Sequence, residues 1–136
     1  NMGLEEYLLS STINGILAQR LVRKLCHDCK QAYSASDTMI KEMNLRQFKQ
    51  SGHIQLYKAV GCSSCADIGY KGRQAIIEFL PMSEKIRQQI MSHEESGVIQ
   101  QQAISDGMLT LYQDGLFKAI QGITSLEEVL RVTTES

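Results

Sequence analysis

Lys24-Leu25-Cys26-His27-Asp28-Cys29-Lys30 and, further along, Val60-Gly61-Cys62-Ser63-Ser64-Cys65-Ala66 carry all four cysteines of the chain. Each C-x-x-C sets two thiolates on one tight turn, and two such turns close the four-coordinate tetrahedral shell that Zn²⁺ prefers. The spacing therefore predicts a structural zinc site on Cys26, Cys29, Cys62 and Cys65. Between the pairs lie 32 residues, more than the ~15 to 20 of the commonest paired-knuckle pattern, so the insert calls for structure of its own. Other readings of the same cysteines compete. Four thiolates also suit iron. A thioredoxin-type redox pair normally opens a helix after a strand, whereas here the motif comes twice. Disulfides need an oxidising compartment, and the opening residues show no basic stretch followed by an apolar run that would mark export. His27, inside the first pair, reads as a partly exposed loop histidine because four thiolates already complete the set.

Working outward, 136 residues of which 43% are apolar suffice for one ordinary core or two small ones. No run approaches the ~18 apolar residues of a membrane span. A formal charge of −1 argues against a dedicated nucleic-acid binder, which needs a concentrated basic face. The local excess of Arg20, Arg23, Lys24 and Lys30 over Asp28 reads as an offset to the roughly −2 charge of a zinc tetrathiolate. The Asn1-Met2 opening reads as a junction, consistent with a piece of a longer protein.

The apolar residues Ile13, Ile16, Leu17, Leu21, Val22 and Leu25 recur at helical intervals among good helix formers, which predicts a helix over 13–25, with a shorter one before it. Ser36 is an N-cap for an inserted helix carrying Met39, Ile40, Met43 and Phe48, ending near Ser51-Gly52. Ile54, Leu56, Tyr57 and Val60 make a strand-like run. After the second C-x-x-C, Gly69-Tyr70-Lys71-Gly72 turns into a β-branched and aromatic strand over 73–80, closed by Pro81, the only proline, in a hairpin-like sheet. Four short helices follow: one from Ser83, one over 96–105, one carrying Leu111, Tyr112, Leu116, Ala119 and Ile120 with Gly122 as its C′ residue, and one opened by a Thr124/Glu127 capping box. The fold class expected is α+β: a small zinc-bound module with a short sheet and an inserted helix, plus a C-terminal bundle of short helices. Its expected divisions are 1–25, 26–80 and 81–136.

The chain contains no G-x-x-x-x-G-K-[ST] loop, no G-x-S-x-G elbow and no H-E-x-x-H. His53 and His93 read as solvent-facing, and no residue is nominated as catalytic or nucleotide-binding. Spacing alone thus describes a zinc-stabilised interaction domain. A zinc-ribbon nucleic-acid binder using Arg20, Arg23, Lys24, Lys71 and Arg73, and a redox protein, are the alternatives.

Ala18-Gln-Arg-Leu-Val-Arg-Lys-Leu-Cys26-His-Asp-Cys-Lys30, Gly61-Cys-Ser-Ser-Cys-Ala-Asp-Ile-Gly-Tyr-Lys-Gly-Arg73 with Ile77-Glu-Phe-Leu, Asp106-Gly-Met-Leu-Thr-Leu-Tyr-Gln-Asp-Gly-Leu-Phe-Lys118, and Gly122-Ile-Thr-Ser-Leu-Glu-Glu-Val-Leu-Arg-Val-Thr133 resemble, in order, the C-terminal part of bacterial type II secretion and type IV pilus assembly ATPases. The resemblance implies the C-terminal end of a hexameric cytoplasmic traffic motor, peripheral to the inner membrane through its partners. A RecA-like core of the same protein would bind ATP and Mg²⁺ upstream of Leu4, so the fragment alone is expected to hydrolyse nothing. The four cysteines fall on the family's zinc positions and the region from Ser83 onward on its C-terminal helical subdomain. Implied partners are that core, neighbouring subunits and the inner-membrane secretion or pilus platform, with no nucleic acid and no membrane span. Ser11-Thr-Ile-Asn-Gly-Ile-Leu17 looks more like secretion members, whereas Leu56-Tyr-Lys-Ala-Val-Gly61 and Lys71-Gly-Arg73 suit pilus members equally. Residues 32–53 carry no family motif and are where a particular member would meet its own partner.

Overall fold

A computed structural model of the chain describes residues 14–81 and 83–134. The architecture is α+β. Strands β1 (Asn14–Leu25), β2 (Gln31–Ser34), β3 (Gln55–Lys58) and β4 (Tyr70–Pro81) form two two-stranded sheets, β1 with β4 and β2 with β3. Helix α1 (Asp37–Glu42) lies between β2 and β3, and α2 (Glu84–Met91), α3 (Ser96–Ser105), α4 (Leu111–Ile120) and α5 (Leu126–Thr133) follow β4. The described residues fall into two compact units, one made of residues 20–76 and 112–134, the other of residues 77–111 with 14–19.

Three expectations are corrected. Residues 14–25 are a strand, not a helix: the buried positions Val22, Leu25 and Cys26 happen to lie at helical intervals, and pairing with β4, rich in Ile76, Ile77 and Phe79, overrides local propensity. The shorter helix expected before it lies outside the described residues. The run 54–60 does not pair with β4; β3 is the antiparallel partner of β2, a strand too short to be read from sequence, in the register Gln31↔Lys58, Ala32↔Tyr57, Tyr33↔Leu56 and Ser34↔Gln55. The inserted helix, though capped by Ser36 as expected (Met39 N to Oγ, 3.1 Å), stops early. Asn44 takes a left-handed conformation (φ 51°) and a 3₁₀ turn over Leu45–Gln47 follows, which drives Leu45 into the core at zero exposure.

The core of the first unit joins the insert to the last two helices: Leu45, Ile54 and Leu56 pack with Leu116, Ala119 and Val129. Met39, Ile40, Met43 and Phe48 cover it from the insert, and the Phe48 and Phe117 rings sit 5.7 Å apart. Helices α4 and α5 touch closely because residue 115 is glycine; a Cβ there would come within 2.7 Å of Val129 Cγ1. The other unit has its own core of Leu80, Ile86, Ile90, Ala103 and Met108 from β4, α2 and α3. The four C-terminal helices therefore serve two cores instead of one bundle. In this second unit Ser83 caps α2 (Ile86 N to Oγ, 3.1 Å), and the buried Glu78 carboxylate accepts from Leu111 N at 2.8 Å and Gln100 Nε2 at 3.2 Å.

Candidate metal centre

The sheet register brings the two C-x-x-C turns together. β2 starts two residues after Cys29 and its partner β3 ends four residues before Cys62, so pairing Gln31 with Lys58 draws both turns to the same sheet end. The first turn is closed by Lys30 N to Cys26 O at 3.0 Å, and Cys26 N donates to Gly69 O at 2.9 Å. In the second, Asp67 N and Cys65 N both donate to Cys62 O (2.8 and 3.2 Å), with Ala66 and Asp67 left-handed (φ 54° and 62°).

All four Sγ atoms lie within 4.8 Å of one another. Cys26–Cys62, Cys29–Cys65 and Cys62–Cys65 are each 3.8 Å apart. A tetrahedron with metal–sulfur bonds of about 2.3 Å has edges of about 3.8 Å, so the set fits a zinc-sized ion, whereas a disulfide needs about 2.05 Å. The four cysteines are free thiols, and neither pair opens an α-helix, unlike a thioredoxin-type pair: Cys62 caps only a 3₁₀ turn over Ser63–Cys65. Cys26 and Cys65 are buried while Cys29 and Cys62 are partly exposed.

The thiols are electrostatically unequal. Burial opposes charge on Cys65, but backbone N–H donors from Cys62 and Gly69, with contacts from Cys29 and Cys62, draw it down to about 6. Cys29 is pushed up to about 12, first by burial and then by its sulfur neighbours, against the single N–H of Gly61. Four thiols so close cannot all ionise unaided; a bound cation is what would let them.

His27, His53 and His93 are exposed and stand outside the sulfur cluster, as expected. Much of the basic excess is engaged inside the fold. Lys30 Nζ donates to Gly122 O at 2.9 Å and lies 5.1 Å from the Tyr57 ring. Arg23 stacks 4.3 Å over the Tyr70 ring and donates to Glu128 at 2.8 Å through both Nη2 and its backbone N.

That last contact belongs to a network the sequence reading missed. Glu128, 1% exposed, also accepts from Arg131 Nε and Nη2, both at 2.9 Å. Its carboxyl is opposed by burial yet held down at about 2 by the two arginines. The capping box moves accordingly: Ser125, not Thr124, caps α5 by accepting from Glu128 N at 3.2 Å. Thr124 Oγ1 donates instead to Arg23 O at 2.7 Å, and Glu127 is exposed. The Glu128/Arg131 spacing of three was the available signal, but nothing in it points to Arg23.

Two C-x-x-C turns at the end of a small sheet, with an insert and short helices sharing one core, define a tetracysteine α+β module. The chain belongs to the type II/IV secretion system protein family: the family model described as "Type II/IV secretion system protein" matches residues 1–131. Type II secretion system protein E of Xanthomonas campestris pv. campestris is 48% identical over 136 residues, covering 100% of this chain and 24% of that protein. Type II secretion system ATPase E of Vibrio cholerae is 43% identical over 137 residues (100% and 26%). The type IV pilus assembly ATPase PilB of Thermus thermophilus is 42% identical over 134 residues (98% and 15%). The chain thus spans about a quarter or less of the length of these relatives. Among the described residues no helix is long and apolar enough to cross a membrane.

Proposed function

We propose that this chain is the C-terminal part of a hexameric, cytoplasmic ATPase that powers type II protein secretion, and that Cys26, Cys29, Cys62 and Cys65 hold a structural Zn²⁺. The observation that carries the metal assignment is the set of 3.8 Å sulfur separations. The family match over residues 1–131 supports the motor assignment. Bound there, zinc supplies a closed cross-link rather than a Lewis-acid site, because four protein ligands leave no open position. The chain's own residues make that cross-link matter. Cys26 follows directly on β1, Leu25 N donates to Ile123 O at 2.9 Å, and Cys62 and Cys65 sit between β3 and β4, so the end of β1, both sheets and the α4–α5 loop are tied at one place. Displacement of β1 is passed to the insert, whose apolar side is spent on the core and whose polar side faces outward to a membrane-platform partner.

A type IV pilus assembly motor is the second reading, favoured by the 42% identity to PilB; Ser11-Thr-Ile-Asn-Gly-Ile-Leu17 and the 48% identity to protein E favour secretion. The test uses the full-length protein with Cys62→Ser and Cys65→Ser. The expected outcome is loss of one zinc per subunit by elemental analysis and loss of secretion in a strain lacking its own motor. Normal secretion by the variant would sink the coupling role, a native protein without zinc would sink the metal, and restored piliation without secretion would select the pilus reading.

A further inference from the structure

Two glycines outside the C-x-x-C motifs aim their amides at sulfur. Gly61 N donates to Cys29 Sγ at 3.3 Å and Gly69 N to Cys65 Sγ at 3.1 Å, with Cys62 N also on Cys65 Sγ at 3.2 Å. Both glycines have positive φ, 114° and 90°, and neither has room for a side chain. A Cβ on Gly61 would sit 2.9 Å from Asp67 O, and one on Gly69 only 2.6 Å from Ala59 Cβ. The backbone of each is thus held where only glycine fits, and what that conformation delivers is an N–H pointed at a thiolate.

We infer that Gly61 and Gly69 are positioning residues of the metal site: their amides donate to Cys29 Sγ and Cys65 Sγ and hold those two sulfurs in place for the metal. The inference rests on the zinc reading and extends it to residues that are not ligands. Outer contacts of this kind typically change metal affinity by about 10- to 100-fold. Gly72 is the internal control. Its φ is also positive, at 86°, but an added Cβ would meet only Lys24 Cδ at 3.6 Å, and its N–H reaches no sulfur among the described residues.

The full chain, loaded with ¹¹³Cd²⁺ as probe, tests this by NMR without any substitution. The expected result is scalar coupling from cadmium to the Gly61, Cys62 and Gly69 amide protons, transmitted through the N–H···S contacts. Chelator competition then compares variants: Gly61→Ala and Gly69→Ala are expected to release Zn²⁺ about 10- to 100-fold more readily, while Gly72→Ala stays near wild type. Bound cadmium with no coupling to these amides overturns the inference and leaves the metal site standing, as does a loss in Gly72→Ala equal to that in Gly69→Ala. Failure of the native chain to take up either metal overturns the zinc reading and the inference together.

Discussion

Replacing Glu128 by Gln removes one negative charge on which four hydrogen bonds converge, from Arg23 N, Arg23 Nη2, Arg131 Nε and Arg131 Nη2. Its carboxyl is opposed by burial but carried from the ordinary 4.5 down to about 2 by Arg131 and Arg23. At ~1.4 kcal/mol per pH unit that drop corresponds to roughly 3 kcal/mol of folding free energy. We reduce this to about 2 kcal/mol because the Arg23 and Arg131 side chains are 46% and 55% exposed and water screens them. With a urea slope of about 2 kcal/mol per molar, Glu128→Gln should lower the midpoint by about 1 M at pH 7.

The pH dependence follows from the direction of the shift. A carboxyl with a depressed folded value stabilises fully above its unfolded value and loses that contribution as pH falls through its folded value. The difference between wild type and Glu128→Gln should therefore be constant above about pH 5 and shrink from about 4.5 downward, vanishing near pH 2. A bound metal would also be released in acid, so both proteins are compared with and without added Zn²⁺. Tyrosine fluorescence is the probe, since Tyr33, Tyr57, Tyr70 and Tyr112 all lie in the tetracysteine unit. A difference under ~0.5 kcal/mol at pH 7, no larger than an ordinary surface substitution, refutes the reasoning; so does a difference that persists unchanged at pH 2.

Gly115→Ala should destabilise the tetracysteine unit by about 1 to 3 kcal/mol in the same urea assay, because its Cβ would stand 2.7 Å from Val129 Cγ1. Ser125→Ala should cost about 1 kcal/mol as the loss of a cap, whereas Glu127→Gln should stay within about 0.5 kcal/mol; equal effects would restore the Thr124/Glu127 box. Stripping metal with a strong chelator should melt the tyrosine signal of this unit while the α2–α3 unit, which contains no cysteine, keeps its helical circular dichroism; simultaneous loss of both would show that the second core depends on the first.

What could be read from sequence was what is local. Cysteine spacing picked out the four thiols that the fold brings together, serines at 36 and 83 marked two helix starts that the side-chain hydrogen bonds bear out, and the span of α3 came out residue for residue. What could not be read was decided by partners far along the chain. β2 is four residues long and carries no signal of its own; it is a strand because β3 offers it a register. Thr124 has the sequence of a cap but is needed elsewhere, so capping passes to its neighbour.

β1 is the sharpest instance, and it links the misreading to the site. Its composition of Leu, Ala, Gln, Arg and Lys favours a helix, yet its backbone is extended with β4 as its only paired strand among the described residues. That leaves an open edge, which proteins commonly cover. Here the cover comes from the C-terminal segment: Arg23 N donates to Glu128, Arg23 O accepts from Thr124, and Leu25 N donates to Ile123 O. Residues 23 and 25 point their backbone groups to the same edge of a strand, so one loop and one helix start satisfy it from about 100 residues away. The strand is thereby fixed in the residues immediately before Cys26, and the first cysteine turn inherits that position. An Arg23 or Glu128 variant should consequently loosen metal binding without touching a ligand, whereas a Lys118 variant, whose ion pair with Asp114 is local to α4, should not.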